Sequence, residues 1–168
     1  MTTSRFHPAS RKNVDRTKDP YIPRKGAPEV GICPDCGAIN RKKRWYVDHA
    51  EYARLKRSGA LPRRCPACRK IADAFPSGVL TLRGRFLREH RREILTVARN
   101  EERRARGINP LERIMGLRES DGELEILTTD EKLAQRIGRE IRKAFRGSVE
   151  YKWSEDANLL RLTWERDA

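Results

Sequence analysis

Cys33-Pro34-Asp35-Cys36-Gly37 and Cys65-Pro66-Ala67-Cys68 contain every cysteine of this sequence. A C-x2-C pair lets one tight turn present two soft sulfurs to the same ion, and two pairs complete the tetrahedral four-sulfur set that zinc fills. Gly37 supplies the left-handed backbone that such a knuckle needs. Between the pairs lie 28 residues, more than the roughly 15–20 of the commonest template, so the insert must carry structure of its own. The spacing predicts one structural Zn2+ held by Cys33, Cys36, Cys65 and Cys68. Paired disulfides require an oxidising compartment, and a redox CxxC needs one pair rather than two. His49, inside the insert, is redundant as a ligand beside four cysteines. With all four positions filled by thiolates, no coordination site is left for a reacting water.

A second chemistry surrounds the first. Arg41-Lys42-Lys43-Arg44 precedes Trp45-Tyr46, and Arg54, Lys56, Arg57, Arg63, Arg64, Arg69 and Lys70 extend the cationic surface. Cations neutralise phosphates and flat rings stack on unpaired bases, so these residues form the candidate nucleic-acid surface. The two aromatics have a competing role in the miniature core of the zinc module. The chain as a whole carries a net charge of +14 over 168 residues, with 37% charged and 37% apolar residues. Residues 29–70 hold 11 cations against 4 anions, whereas residues 116–168 hold 10 against 12. A field so placed attracts a polyanion. The first residues contain no apolar h-region, and no apolar span, lipidation signal or amphipathic anchor suggests a membrane. A cytoplasmic protein is expected. No P-loop, nucleophile elbow or dinucleotide fingerprint is present, and no catalytic constellation emerges, so a non-enzymatic role is expected.

The elements that must position these residues divide the chain into four stretches. Residues 1–28 read as a basic flexible arm, and residues 29–80 as the four-cysteine zinc module. A knuckle, an intervening segment and a helix carrying the second ligand pair, Cys65 and Cys68, in its first turn predict a treble-clef-like finger, with a zinc ribbon as the other possibility. Thiolates beside a helix N-terminus are favoured by its dipole. Residues 81–116 read as a helical connector. Phe86, Leu87, His90, Ile94, Val97 and Ala98 share a stripe at helical spacing, and the arginines on the other face read as a solvated, ion-paired surface. Asn109-Pro110-Leu111-Glu112 predicts the capped start of a further short helix. Residues 117–168 read as a βαββ domain with an antiparallel sheet. Leu124, Ile126 and Thr128 mark one strand, and Leu133, Ile137, Ile141 and Phe145 the helix. Two further strands follow around a Ser154–Asn158 loop. The fold class is therefore α+β: a zinc finger, a long helix and a small βαββ domain.

The strings CPDCGAI, CPACRKIADAFPSG, TLRGRFLREHRREILTVARNEE, NPLERIM, TTDEKLAQRIGREIRKAFRG and LLRLTW resemble a family of small bacterial four-cysteine proteins. That family is similar to the zinc-bearing N-terminal part and following α/β part of the nonsense-mediated-decay-protein-three family. The resemblance covers about residues 19–165. Members of the latter family are adaptors of the large ribosomal subunit during its maturation and export. They carry further zinc-ligand pairs and a C-terminal domain resembling a translation factor, which these residues do not include. The resemblance implies zinc at Cys33, Cys36, Cys65 and Cys68 and a basic surface facing ribosomal RNA.

Composition, motifs and resemblance together predict a zinc-stabilised RNA-binding protein acting on ribosomes or ribosomal subunits, in assembly, hibernation or quality control. A protein partner could meet the C-terminal domain. A DNA-binding zinc-finger regulator and a protein-interaction adaptor with no nucleic-acid role are the alternatives.

Overall fold

The computed structural model describes residues 20–21, 29–154 and 159–168. Almost all of the expected basic arm, and residues 155–158 of the expected Ser154–Asn158 loop, lie outside the described residues. The described residues are mixed α+β, with four helices and two mixed sheets among them.

The first sheet is small. Strands β1 (Val30–Ile32), β2 (Ala38–Arg41) and β3 (Arg44–Val47) form an antiparallel meander, and β4 (Leu61–Pro62) pairs parallel to β1. Helix α1 (His49–Arg57) fills the insert between the cysteine pairs and starts where the Asp48 carboxylate accepts a 2.8 Å hydrogen bond from Glu51 N–H. None of its residues is buried. Helix α2 (Pro66–Ala72) follows, with Pro66 in its first turn, where the missing N–H costs nothing. Buried apolar groups here are few: Ile32, Ala38, Ile39, Ala67 and the sulfurs of Cys33, Cys65 and Cys68.

The second sheet has five strands in the order β6-β7-β5-β9-β8, where β5 is Gly78–Arg83, β6 Ile114–Ser120, β7 Glu123–Thr128, β8 Ser148–Ser154 and β9 Leu159–Glu165. Helices α3 (Arg85–Ile108) and α4 (Glu131–Phe145) pack on it. Leu80, Leu82, Ile94, Leu124, Ile126, Leu133, Ile137, Ile141, Leu162 and Trp164 join in one buried core. Strand β5 reads apolar at Val79, Leu80 and Leu82, and Gly78 admits α4: a Cβ there would stand 2.6 Å from Cβ of Ala134. The Asp130 carboxylate caps α4 by accepting from Lys132 N–H at 2.8 Å.

Three expectations need correction. The sheet expected within residues 117–168 was three-stranded and antiparallel; its middle strand is β5, from residues 78–83, and β5 runs parallel to β9. The boundary drawn between residues 80 and 81 divides that strand, and α3 covers the same core instead of merely connecting two regions. Leu80 and Leu82 are fully buried, but so short an apolar run before a long helix carries no periodicity of its own. The expected helix at Asn109–Glu112 is a turn followed by β6. The Asn109 side chain does accept from Leu111 N–H at 3.1 Å. Glu112, however, is buried and paired with Arg136 of α4, while Arg113 N–H and Ile114 N–H donate to Thr129 Oγ1 and Glu102 Oε1. Tertiary partners thus draw the chain into a strand where local capping favours a helix.

The two sheets meet through polar contacts. Lys70 Nζ of α2 donates to Ser77 Oγ at 2.7 Å and to the Thr129 carbonyl at 3.1 Å. Glu101 of α3 and Glu112 both pair with Arg136, forming a largely buried ion triad that ties the turn before β6 to both long helices.

Candidate metal centre and basic surface

Cys33 and Cys36 lie in the turn between β1 and β2. Cys33 N–H donates to the Ala38 carbonyl at 2.7 Å and Gly37 N–H to the Cys33 carbonyl at 3.0 Å, closing the knuckle. Gly37 has φ +75°, the left-handed conformation anticipated from its position. Cys65 caps α2 and Cys68 stands in its first turn. The four Sγ atoms lie within 4.8 Å of one another, all four cysteines are free thiols, and the sulfurs of Cys36 and Cys65 are 3.7 Å apart. A tetrahedron with metal–sulfur bonds of about 2.3 Å has an edge of about 3.8 Å. That spacing fits sulfurs sharing one ion and is far too long for a disulfide.

Hydrogen-bond donors surround the sulfurs. Cys65 N–H donates to Cys33 Sγ and Cys68 N–H to Cys65 Sγ, both at 3.3 Å, and Arg113 Nη1 donates to Cys68 Sγ at 3.1 Å. Hydrogen bonding from Cys65 holds Cys36 down at about 5 against desolvation. Cys65, which shares that hydrogen bond and is buried, is pushed far up, and burial lifts Cys68 to about 11. Crowded, desolvated thiols therefore resist ionising together. A cation at their centre removes that conflict. The donor set and its N–H···S bonds fit a structural metal ion. Trp45 and Leu111 pack against the cluster, Leu111 from the turn that leads to Arg113.

The candidate cations fall into separate groups. Arg41 and Arg44 face each other across a two-residue hairpin turn made by Lys42 and Lys43, whose φ angles are +50° and +66°. Positive φ at both central residues is the turn whose twist suits a hairpin, usually with asparagine or glycine. Lys42, Lys43 and Arg44 are exposed and have no ion pair among the described residues, as do Lys56 and Arg57 at the end of α1. Arg41 instead pairs with Glu51 at 2.8 Å, and Arg54 approaches the same carboxylate at 3.9 Å. Arg63 donates to Asn40 Oδ1 at 3.1 Å and lies over Trp45. Arg64 pairs with Asp35 at 2.5 Å, Arg69 lies over the Tyr21 ring, and Lys70 belongs to the junction between the sheets. The aromatics part company because strand neighbours point to opposite faces. Trp45 turns to the cysteines, while Tyr46 Oη donates to Glu51 at 3.0 Å.

Sequence reading missed two features. Arg113 reaches Cys68 across 45 positions of chain, and no local signal marks such a contact. A groove of about 700 Å³ also opens between β3 and the end of α3, lined by Tyr46, Val47, Arg99, Arg103, Arg106 and Ile108 among others. The spacing of Arg99, Arg103 and Arg106 placed them on one helix face; the wall opposite them was not legible.

Comparison with protein-family models, with curated proteins and with solved structures finds no match to this chain. Among the described residues, no helix is long and apolar enough to cross a membrane.

Proposed function

We propose that this is a zinc-stabilised RNA-binding protein that acts on ribosomes or ribosomal subunits in the cytoplasm. The observation that carries the reading is the pairing of the four-sulfur cluster with the hairpin beside it. Strands β2 and β3 spring from the knuckle, and at their far end Lys42, Lys43 and Arg44 face solvent without ion-pair partners among the described residues. A structural zinc ion makes a rigid platform of a region with little apolar core, and the platform presents a point of positive charge to a phosphate backbone. The knuckle followed by a helix bearing Cys65 and Cys68 supports a treble-clef-like finger. Four thiolates leave zinc no open position, which supports a binding role over a catalytic one. The ribosomal assignment rests on the sequence resemblance to the large-subunit adaptors. The sheet domain, whose edge strands β6 and β8 pair on one side only among the described residues, is the surface for a protein partner.

Two measurements test the reading. Metal analysis of purified protein is expected to give one zinc per chain; folded, soluble protein without zinc refutes the metal assignment. Sedimentation of cell lysate through a sucrose gradient is expected to place the chain with ribosomal subunits, with release at high salt. Migration as a free protein at low and high salt refutes the ribosomal assignment.

A further inference from the structure

We infer that the groove between β3 and the C-terminal end of α3 seats a short stretch of single-stranded RNA, with Arg99, Arg103 and Arg106 holding its phosphates. The inference rests on the RNA-binding reading and assigns it a second, separate contact surface. Arg99, Arg103 and Arg106 follow one another along a single face of α3, spanning about 10 Å at 1.5 Å per residue. Guanidinium forks bind phosphate oxygens bidentately, which a row of lysines does not. Ion pairing leaves this row available. Arg91 and Arg104 of the same helix pair with Glu119 and Glu101, whereas Arg99 and Arg106 have no ion pair among the described residues and Arg103 donates only to Asn100 at 3.1 Å. The acid within the groove, Glu102, is engaged by the backbone N–H of Ile114 at 2.8 Å.

The opposite wall has the complementary character. On the β3 side Val47 is 44% exposed beside the Tyr46 ring, and Ile108, at the end of α3 itself, is 86% exposed. Apolar and aromatic surface next to unpaired guanidiniums suits the faces of unstacked bases, which a duplex keeps hidden. Strand alternation puts Arg44 on the same face of β3 as Tyr46, so positive charge continues from the groove to the hairpin turn. A continuous cationic track fits an extended polyanion better than a single carboxylate side chain.

The test uses the full chain and three fluorescent probes: a twelve-nucleotide oligouridylate, a duplex RNA of equal length and a twelve-residue polyglutamate. Binding is followed by anisotropy across a salt series, and thermal melting confirms that each variant folds. Combined Arg99→Gln, Arg103→Gln and Arg106→Gln substitution is expected to make the slope of log affinity against log salt for oligouridylate shallower by about two, three contacts at roughly 0.7 each. A 4-thiouridine version of the probe, irradiated with the unaltered protein, is expected to crosslink at Tyr46, Val47 or within residues 99–108. That map decides the matter if the triple variant does not fold. If the triple variant keeps the full slope and crosslinks fall elsewhere while hairpin substitutions abolish binding, the groove assignment is wrong and the RNA reading survives. If the unaltered chain binds neither RNA, the RNA reading itself is wrong and the groove assignment falls with it. Preference for duplex, or polyglutamate binding as tight as oligouridylate, overturns the single-strand assignment in favour of a paired or a protein partner.

Discussion

The two sheets of this protein are held by different physics. The C-terminal sheet encloses Leu80, Leu82, Ile126, Ile137, Ile141, Leu162 and Trp164, all fully buried, beneath two helices. The N-terminal sheet has strands of two to four residues and a helix with no buried residue, and at its centre stand sulfur atoms. One region is stabilised by removing apolar surface from water. The other has too little such surface, and a four-cysteine cluster fit to hold a metal ion stands where its core would be. What the second region gains is freedom in its surface: most residues between the knuckles have no packing duty and can be charged. The basic hairpin and the four-cysteine cluster are in this sense two sides of one solution.

The sharpest way to break the comparison is to remove a ligand. Cys65→Ser is expected to abolish stoichiometric zinc and unfold residues 29–72, because structural zinc contributes on the order of 10–16 kcal/mol in small metal domains. Metal analysis and amide protection together check it, and RNA affinity should fall with the fold. A protected N-terminal sheet in the variant would show that its few apolar residues suffice. The complementary lesion lies in the other core. Trp164→Ala removes a fully buried ring whose Nε1 donates to the Arg146 carbonyl at 2.7 Å. A loss of about 3–5 kcal/mol in chemical denaturation is expected, with zinc still bound while the protein remains folded.

The regions differed as much in legibility. The clustering of the four cysteines was plain in the sequence, since thiol chemistry constrains both residue type and spacing. The long helix and the β7-α4-β8-β9 sequence were legible from periodicity and from the Asp130 and Gly147 boundaries. Strand β5 was not, because Val79-Leu80-Thr81-Leu82 reveals itself as a central strand only when partners from residues 124–128 and 160–165 arrive on either side. Asn109–Glu112 misled for the opposite reason: a real local capping signal is overruled by the buried pairing of Glu112 with Arg136. Composition marks the run Arg41–Arg44 as basic but does not distinguish Lys43, which is free of ion pairs among the described residues, from Arg41, which Glu51 engages. Side-chain partners separate a binding surface from a structural one.

That distinction sharpens the next prediction. Combined Lys42→Ala, Lys43→Ala and Arg44→Ala should make the slope of log RNA affinity against log salt shallower by about two, with zinc content unchanged. Arg41→Ala should have a smaller effect on the slope, because its guanidinium is committed to Glu51. Equal effects from Arg41 and Lys43 in a salt series would show that the ion pair opens on binding. A still smaller effect is expected where the regions touch. Arg113→Met removes the 3.1 Å bond to Cys68 Sγ; hydrogen bonds to charged groups contribute about 1.5–3 kcal/mol. Zinc should pass to a competing chelator roughly tenfold more readily or better, while the apolar core remains intact. An unchanged chelator titration would mean that Arg113 serves only the packing of its turn.

Hydrogen exchange during progressive zinc removal tests the contrast between the regions most directly. As chelator is added, protection in β1, β2, β3 and α2 should vanish in step with the metal. Protection in β5, β7 and β9 should persist, and the Arg113–Thr129 corner should loosen only in part. Simultaneous loss of protection in both sheets, or none in the N-terminal one after the last zinc is gone, would contradict the account.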